Sequence, residues 1–585
     1  RRTGARLSAG RSYGKFGADF SFGFTQTNTN VSGGDMYQGR GVYWNVLNTP
    51  AHVPLTKYKD IDNNKFATLD GYFNAYYPNP YWQLEHSRQI TKRNDVLGSI
   101  NLNYKTTSWM EFSNRSGITF NDQNFNSYQD EAIYSDYSKS DPWSQGHMGV
   151  SSPYSAQSYY SMYNTLTVTN DFLVKLSKDF SDFSTKLILG NEVLMGRNDY
   201  QTMDCSALVI PEFYNVSNRV GEASITQTTN KRRSIALFAD ATIGYKNYAY
   251  LHASVRNDWD SRLVKDNRSF FYPAVDGSVI ITDMLPQLKE GPVLSFLKVR
   301  AGWARTGQIA LGSWYATLPT YVASTGFPYG GTAGFRLSTS LSNPKLKPEL
   351  TDEIEAGFES SFLKNKVSLE MSFYKQNTKD QTIPAQISSS TGYYTAYINA
   401  GELENKGLEA DLKLNQIVSY RGFNWTISVN YAYTTSKVIS IFPGLNELPV
   451  SDGTNTSVSY AVVGQQFPLL KVSDVLRDPE GHIIVDKVTG LPKKNSALVK
   501  AGHGNPNHSL GIANNFTYKG IGLNVVADYR SGNIILNAVG NALDFTGVSK
   551  HSTLNGRQPF VIPNSVIDNG DGTYTKNTNV LVTNA

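Results

Sequence analysis

The sequence predicts an all-β fold, a transmembrane antiparallel β-barrel, and three observations carry that expectation. About sixteen segments alternate apolar and polar side chains over roughly ten residues, the template of outer-membrane strands. Their connections switch between tight turns and long loops, as in barrels with a short-turn side and a long-loop side. The composition of the 585 residues is poor in apolar (40%) and charged (18%) types and rich in Gly (48), Tyr (36) and Phe (28). That mixture excludes disorder, which needs high charge and few aromatics, and a helical array, which needs Ala, Glu, Lys and Leu.

The alternation is legible strand by strand. Residue 1 enters a hairpin whose second arm is ADFSFGF. Ile235, Leu237, Ala239, Ala241, Ile243 and Tyr245 run into a turn at Lys246-Asn247, and Ala249, Leu251, Ala253, Val255 and Trp259 return. The opposite faces carry Asp240, Thr242, His252, Ser254, Arg256 and Asp258. Ile354, Ala356, Phe358 and Phe362 oppose Glu353, Glu355, Glu359 and Ser361. Past a turn at Lys364-Asn365-Lys366, Val367, Leu369, Met371 and Phe373 oppose Ser368, Glu370, Ser372, Tyr374 and Gln376. The same pattern runs through Leu408–Leu414, Trp425–Tyr433 and Leu523–Tyr529. Side chains in a strand point to alternate faces, so each segment has one apolar and one polar side.

A soluble sandwich also alternates, but with strands of about 5–6 residues and evenly short turns. Here the tracts 30–90, 123–157, 201–228, 309–349 and 440–504 read as long, extracellular loops. Full charges on the polar face need water, which a wide lumen supplies and a sandwich core does not. Tyr104, Tyr245, Trp259, Tyr433, Tyr518 and Tyr529, near strand ends, fit interfacial girdles. Chain 1–585 therefore reads as one partial barrel. The polar tract NGDGTYTKNTNVLVTNA has no closing strand, so a fragment is expected.

Other classes are excluded. No apolar run approaches the ~18 residues of a transmembrane helix. The start RRTGARLSAG lacks the apolar core of a signal peptide. One cysteine, Cys205, permits no disulfide framework. A net charge of +5 is too dilute for nucleic-acid binding. Gly10-Arg11-Ser12-Tyr13-Gly14 spells G-x-S-x-G, but alternating strand sequence follows where a nucleophile elbow needs a helix. Asp568-Asn569-Gly570-Asp571-Gly572 lacks the EF-hand spacing and terminal Glu, and reads as a turn. Eight scattered histidines form no zinc motif. Paired acids such as Glu353 and Glu355 suit glycoside hydrolysis in principle, but i, i+2 acids on a wet face are ordinary lumen lining. No catalytic residue, metal site or cofactor is expected.

Several collinear segments resemble the SusC/RagA family of TonB-linked outer-membrane transporters. They are N-T-P-A-H-V-P-L (from Asn48), G-Y-F-N-A-Y-Y-P-N-P-Y-W (Gly71 to Trp82), F-Y-P-A-V-D-G-S (from Phe271) and L-K-V-R-A-G-W-A-R-T-G-Q (Leu297 to Gln308). The last is near the family's L-K-x-R-x-S-x-G-x-T-G-N, with Gly302-Trp303 in the S-x region, Ala304 for Gly and Gln308 for Asn. N-P-K-L-K-P-E-L-T-D-E-I-E-A-G (Asn343 to Gly357) is shared by TonB-dependent receptors generally. N-A-G-E-L-E-N-K-G-L-E (from Asn399) and G-N-P-N-H-S-L-G-I-A-N-N-F-T-Y-K-G (from Gly504) complete the order.

The resemblance implies a 22-stranded barrel, of which this chain is the central portion without plug, TonB box or closing strands. It also implies residence in the outer membrane of a Gram-negative, Bacteroidota-like cell. The implied partners are a SusD-like surface lipoprotein, TonB, membrane lipid and an oligosaccharide or oligopeptide substrate. A siderophore or cobalamin receptor, or a structural or adhesive β protein without transport, is the alternative. Arg256, Asp258, Glu353, Glu355, Glu359 and Glu370 are the expected lumen-lining charges. Tyr72, Phe73, Tyr76, Tyr77, Tyr81 and Trp82 are the candidate substrate-binding aromatics, because flat rings stack on sugars and peptides at low entropic cost. Packing of that loop is the competing role for the same rings.

Overall fold

The computed structural model describes residues 1–34, 41–72, 77–142, 154–311, 314–324, 327, 329–450 and 457–579. One antiparallel sheet of sixteen strands dominates them, the number that the alternating segments predict. In chain order the first eight strands are β1 (Arg2–Tyr13), β2 (Phe16–Ser32), β3 (Ser87–Lys105), β4 (Met110–Gln129), β5 (Gln157–Phe180), β6 (Phe183–Cys205), β7 (Ser224–Tyr245) and β8 (Ala249–Asp260). The second eight are β9 (Ser269–Ile280), β10 (Leu294–Gln308), β11 (Glu349–Phe362), β12 (Val367–Lys379), β13 (Glu402–Tyr420), β14 (Phe423–Ser440), β15 (His508–Tyr518) and β16 (Ile521–Ser531). Every strand pairs with its neighbours in sequence, so the sheet is a meander, with β1 and β16 at its edges. No second sheet packs against it face to face among the described residues, and the sandwich alternative is removed.

Turns and loops alternate along the whole meander. At one end sit Gly14-Lys15, 106–109, 181–182, 246–248, 281–293, 363–366, Arg421-Gly422 and Lys519-Gly520. Arg421 and Gly422 (φ 49 and 86) and Lys519 and Gly520 (φ 46 and 90) both take positive φ. Two successive left-handed residues match the twist of the flanking strands, which is why such pairs close two-residue hairpins. The G-x-S-x-G tract is the end of β1 and the Gly14 turn into β2, with no helix. Asp568–Gly572 is likewise the turn between the short strands Ser565–Asp568 and Tyr574–Lys576.

The opposite end carries 33–86, 130–156, 206–223, 261–268, 309–348, 380–401 and 441–507. Several strands run further into this side than the expected loop bounds: β4 continues to Gln129 and β7 starts at Ser224. There both faces are polar, as in Asn121-Asp122-Gln123-Asn124 and Thr226–Thr229, so hydrophobic alternation vanishes while the backbone ladder continues. The connection 380–401 gave no sequence signal of comparable strength.

The deepest packing lies in this loop layer. Tyr72, Leu346, Gln83, Val485, Asn45, Asn48 and Asn79 are among the largest fully buried side chains. Leu263, Ala316 and Leu346 form one cluster that joins two loops, and Tyr397 from a third packs against it. By contrast, large apolar groups along one sheet face are open: Leu237 is 53% exposed, Leu251 54%, Ile354 61% and Phe373 50%. A contiguous apolar face of that size is a surface made for another apolar phase.

Candidate functional site

Directly paired residues of an antiparallel sheet share a face, so the register assembles the polar face row by row. Arg115 pairs with Asp171, Asp171 with Glu192, Glu192 with Ala236 and Ala236 with Asp258. Phe238 pairs with Arg256 and Arg256 with Tyr272. Asp171 and Glu192 are like charges face to face, and cations flank them. Arg115 lies 3.8 Å from Asp171, and the Arg256 guanidinium donates to Glu192 at 3.1 Å. Arg256 also donates to Asp258 and to the Tyr272 hydroxyl, each at 2.9 Å, and Tyr272 donates to Asp258. The guanidinium carbon stands 5.6 Å from the centre of the Phe238 ring. That ring lies across Gly190, where a Cβ would fall 2.2 Å from Phe238 Cζ; glycine makes the approach possible.

Four residues before Arg256 on the same strand, both ring nitrogens of His252 face carboxylates, Asp240 at 2.8 Å and Asp276 at 2.6 Å. The third group centres on Arg300 of β10. Glu359 and Glu370 oppose each other across β11 and β12. Arg300 donates to Glu370 at 2.7 Å, Glu359 at 3.0 Å, Glu355 at 3.4 Å and Ser372 at 2.6 Å. Lys298 adds a second bond to Glu359 at 2.9 Å, and Gln376 donates to Glu353 at 3.1 Å.

The structure thus brings Glu355, Glu359 and Glu370 into one network, Arg256 and Asp258 into another, and leaves Glu353 at the edge of the first. Sequence reasoning missed Lys298, Arg300, Glu192, Asp171 and Arg115 as partners. Lys298 and Arg300 do alternate within L-K-V-R, a readable sign of one face. Which carboxylates they meet depends on register across strands up to seventy residues apart.

The aromatic tract lies in the loop layer. Tyr72 is buried, edge-on to Tyr58 at 5.5 Å, with its hydroxyl on Thr49. Burial pushes its phenol up to about 12. Tyr77 is buried edge-on to Phe545 at 6.3 Å. Both rings pack against other parts of the loop layer. Tyr81 and Trp82 open the short helix Pro80–His86, whose N-cap Asn79 accepts from the Tyr81 N–H at 3.1 Å; both are partly exposed. Phe73 and Tyr76 fall outside the described residues.

Trp82 stacks on His86 at 4.6 Å, and His86 Nδ1 reaches Asp130 at 2.6 Å. Asp130 also accepts from the Tyr214 hydroxyl, and Tyr214 stacks on Tyr128 at 3.8 Å. Three loops meet here. Burial acts to raise the Asp130 carboxyl, but the bonds from His86 and Tyr214 outweigh it and hold the group below its ordinary range. Burial first, then the bond to Asp130, pushes the Tyr214 phenol far up. Asp478, Glu480 and His482 also come together in loop 441–507, with a ligand atom of each within 4.8 Å of the others.

The family described as TonB dependent receptor-like, β-barrel, matches residues 2–533. The TonB-dependent receptor SusC of Bacteroides thetaiotaomicron is 25% identical over 462 residues, covering 77% of this chain and 43% of that protein. TonB-dependent receptor P39 of Formosa agariphila is 26% identical over 276 residues, covering 46% of this chain and 26% of that protein. The chain therefore spans less than half the length of these curated relatives. Among solved structures, the RagAB peptide transporter superposes with a TM-score of 0.72 at 16% identity, over 92% of this chain and 58% of that one. The RagAB peptide importer in its open-open state gives 0.71 at 16% identity, over 91% and 57%.

Proposed function

The chain belongs to the TonB-dependent-receptor-like β-barrel family, and on that premise we propose that it walls an outer-membrane importer of glycans or oligopeptides. The observation that carries this reading is the division of one sheet into two surfaces. The polar face holds charge networks from Arg115 to Glu370, suited to a hydrated conduit. The other face exposes Leu237, Leu251, Ile354 and Phe373, suited to lipid. A barrel is the strand architecture that satisfies every backbone amide in a bilayer.

Import of this kind is energised through TonB and lidded by a SusD-like lipoprotein. The likeness in fold to the RagAB peptide transporter supports an oligomeric solute. The lumen-lining charges hydrate the passage and present alternating signs to a zwitterionic or polyhydroxyl solute. Among the described residues, Tyr81 and Trp82, partly exposed at the loop end, are the aromatic candidates best placed to meet substrate or lid. Disrupting the gene in the producing bacterium should abolish growth on one defined glycan or peptide source, and a surface lipoprotein should co-purify with the protein. Unchanged growth on every source, with the protein absent from outer-membrane fractions, overturns the reading.

A further inference from the structure

On the apolar face, Arg197 of β6 stands directly opposite Lys231 of β7, and Met195 opposite Arg233. Facing like charges at a cross-strand pair are destabilising unless an anion lies between them. Arg197 is bonded to Asp199 at 2.7 Å. Lys231 and Arg233 are exposed, and their side chains form no salt bridge or hydrogen bond among the described residues. Several other outward cations at this end have a carboxylate partner in place. Glu404 lies between Lys375 (2.8 Å) and Lys406 (2.6 Å), and Asp352 meets Arg305 at 2.8 Å.

The height of the cluster is also defined. On the neighbouring strands Arg197 is level with Leu166, and Leu166 with Phe120. One row toward the turns, Ile118, Val168 and Met195 pair side by side, with Ile235 beyond; all four are exposed. One row toward the loops, Asp122, Asn164, Asp199 and Thr229 are polar. Three cations thus crown an apolar strip at the line where it turns polar.

We propose that Arg197, Lys231 and Arg233 seat the phosphate of a membrane lipid in the loop-side leaflet, with its acyl chains along the Met195–Ile235 strip. The proposal rests on the reading of this sheet as a membrane barrel. Arginine supplies a planar fork for phosphate oxygens and lysine a point charge, the donor set such a headgroup needs.

The test is native mass spectrometry of the intact protein in mild detergent, titrated with dioleoyl phosphatidic acid or with dioleoylglycerol, which lacks the phosphate. One tightly held phosphatidic acid is expected, and no comparable diacylglycerol adduct. Lys231→Gln with Arg233→Gln should weaken retention on the order of tenfold, since each basic group near an anionic surface contributes a several-fold factor. Lys375→Gln should not. Undiminished binding in the double variant, equal binding of diacylglycerol, or displacement by inorganic phosphate at matched concentration overturns the lipid seat. Circular dichroism guards against misfolding, and Arg233→Gln alone should then give an intermediate loss. If the protein stays monodisperse in water without detergent, the barrel reading itself fails, a result distinct from loss of binding in a detergent-dependent protein.

Discussion

Consider arginine placed at two adjacent positions in the middle of β14. Val429 lies six residues from Phe423, which begins the strand at the turn end. At ~3.3 Å per residue and a tilt of ~40°, that is about 15 Å above the turns, close to the middle of an apolar band ~25 Å tall. Its row-mates Leu412 and Ile512 are aliphatic. Asn430, one residue on, faces the polar side, paired with Asp411 and Gly511 and bonded to the Asp411 carboxylate. An arginine facing lipid near the midplane costs about 2–4 kcal/mol. Val429→Arg should therefore lower unfolding free energy by about 3 kcal/mol, a change of ~150-fold in the folded-to-unfolded ratio. Asn430→Arg keeps Asp411 as a partner, now as an ion pair in water, and should stay within about 0.5 kcal/mol. Both are read by guanidinium unfolding of protein refolded into liposomes, followed by tryptophan fluorescence. Equal costs at the two positions, or a larger cost at Asn430, would refute the assignment of faces.

Removing the hub of the third network, Arg300→Ala, leaves Glu355, Glu359 and Glu370 facing one another. A loss of about 1–2 kcal/mol is expected, shrinking at high salt as the repulsion is screened. Gly357→Ala places a Cβ 2.6 Å from the Met371 carbonyl oxygen and 3.0 Å from Ser372 Oγ. It should cost about 1–3 kcal/mol by overpacking, seen as a lower denaturant midpoint. Asp130 titrates below its ordinary 3.8 when folded, so its contribution is complete above that value and fades as pH falls through the lower folded one. Protease nicking of loop 206–223 should therefore rise below about pH 4, and Asp130→Asn should nick readily at neutral pH with little further rise in acid. Alanine at Tyr81 and Trp82 should weaken substrate binding at unchanged barrel yield; reduced yield would assign these rings to loop packing instead.

Much of the wall was legible before any coordinates, because period-two alternation is a local property. Glu353, Glu355 and Glu359 announce their shared face by spacing alone, and so do Arg256 and Asp258. The partnerships were not legible. Glu370 meets Arg300 because β10, β11 and β12 slide into one particular register, and a shift of one residue would turn every one of these side chains to the other face. The aromatic tract shows the reverse limit. Its rings are conspicuous in sequence, yet composition does not say whether a tyrosine stacks on a ligand or on its own loop. Only the folded chain shows Tyr72 and Tyr77 buried against Tyr58 and Phe545.

The sequence by itself determined a large antiparallel sheet, its two unlike faces, and turns at one end with loops at the other. Those follow from neighbours a few residues apart and from where water is tolerated. Tertiary structure alone decided which charges cancel, that the deepest packing lies among the loops, and that Lys231 and Arg233 form no salt bridge among the described residues. Those depend on groups distant in the chain arriving within a few ångströms of one another, a distance that no local pattern encodes.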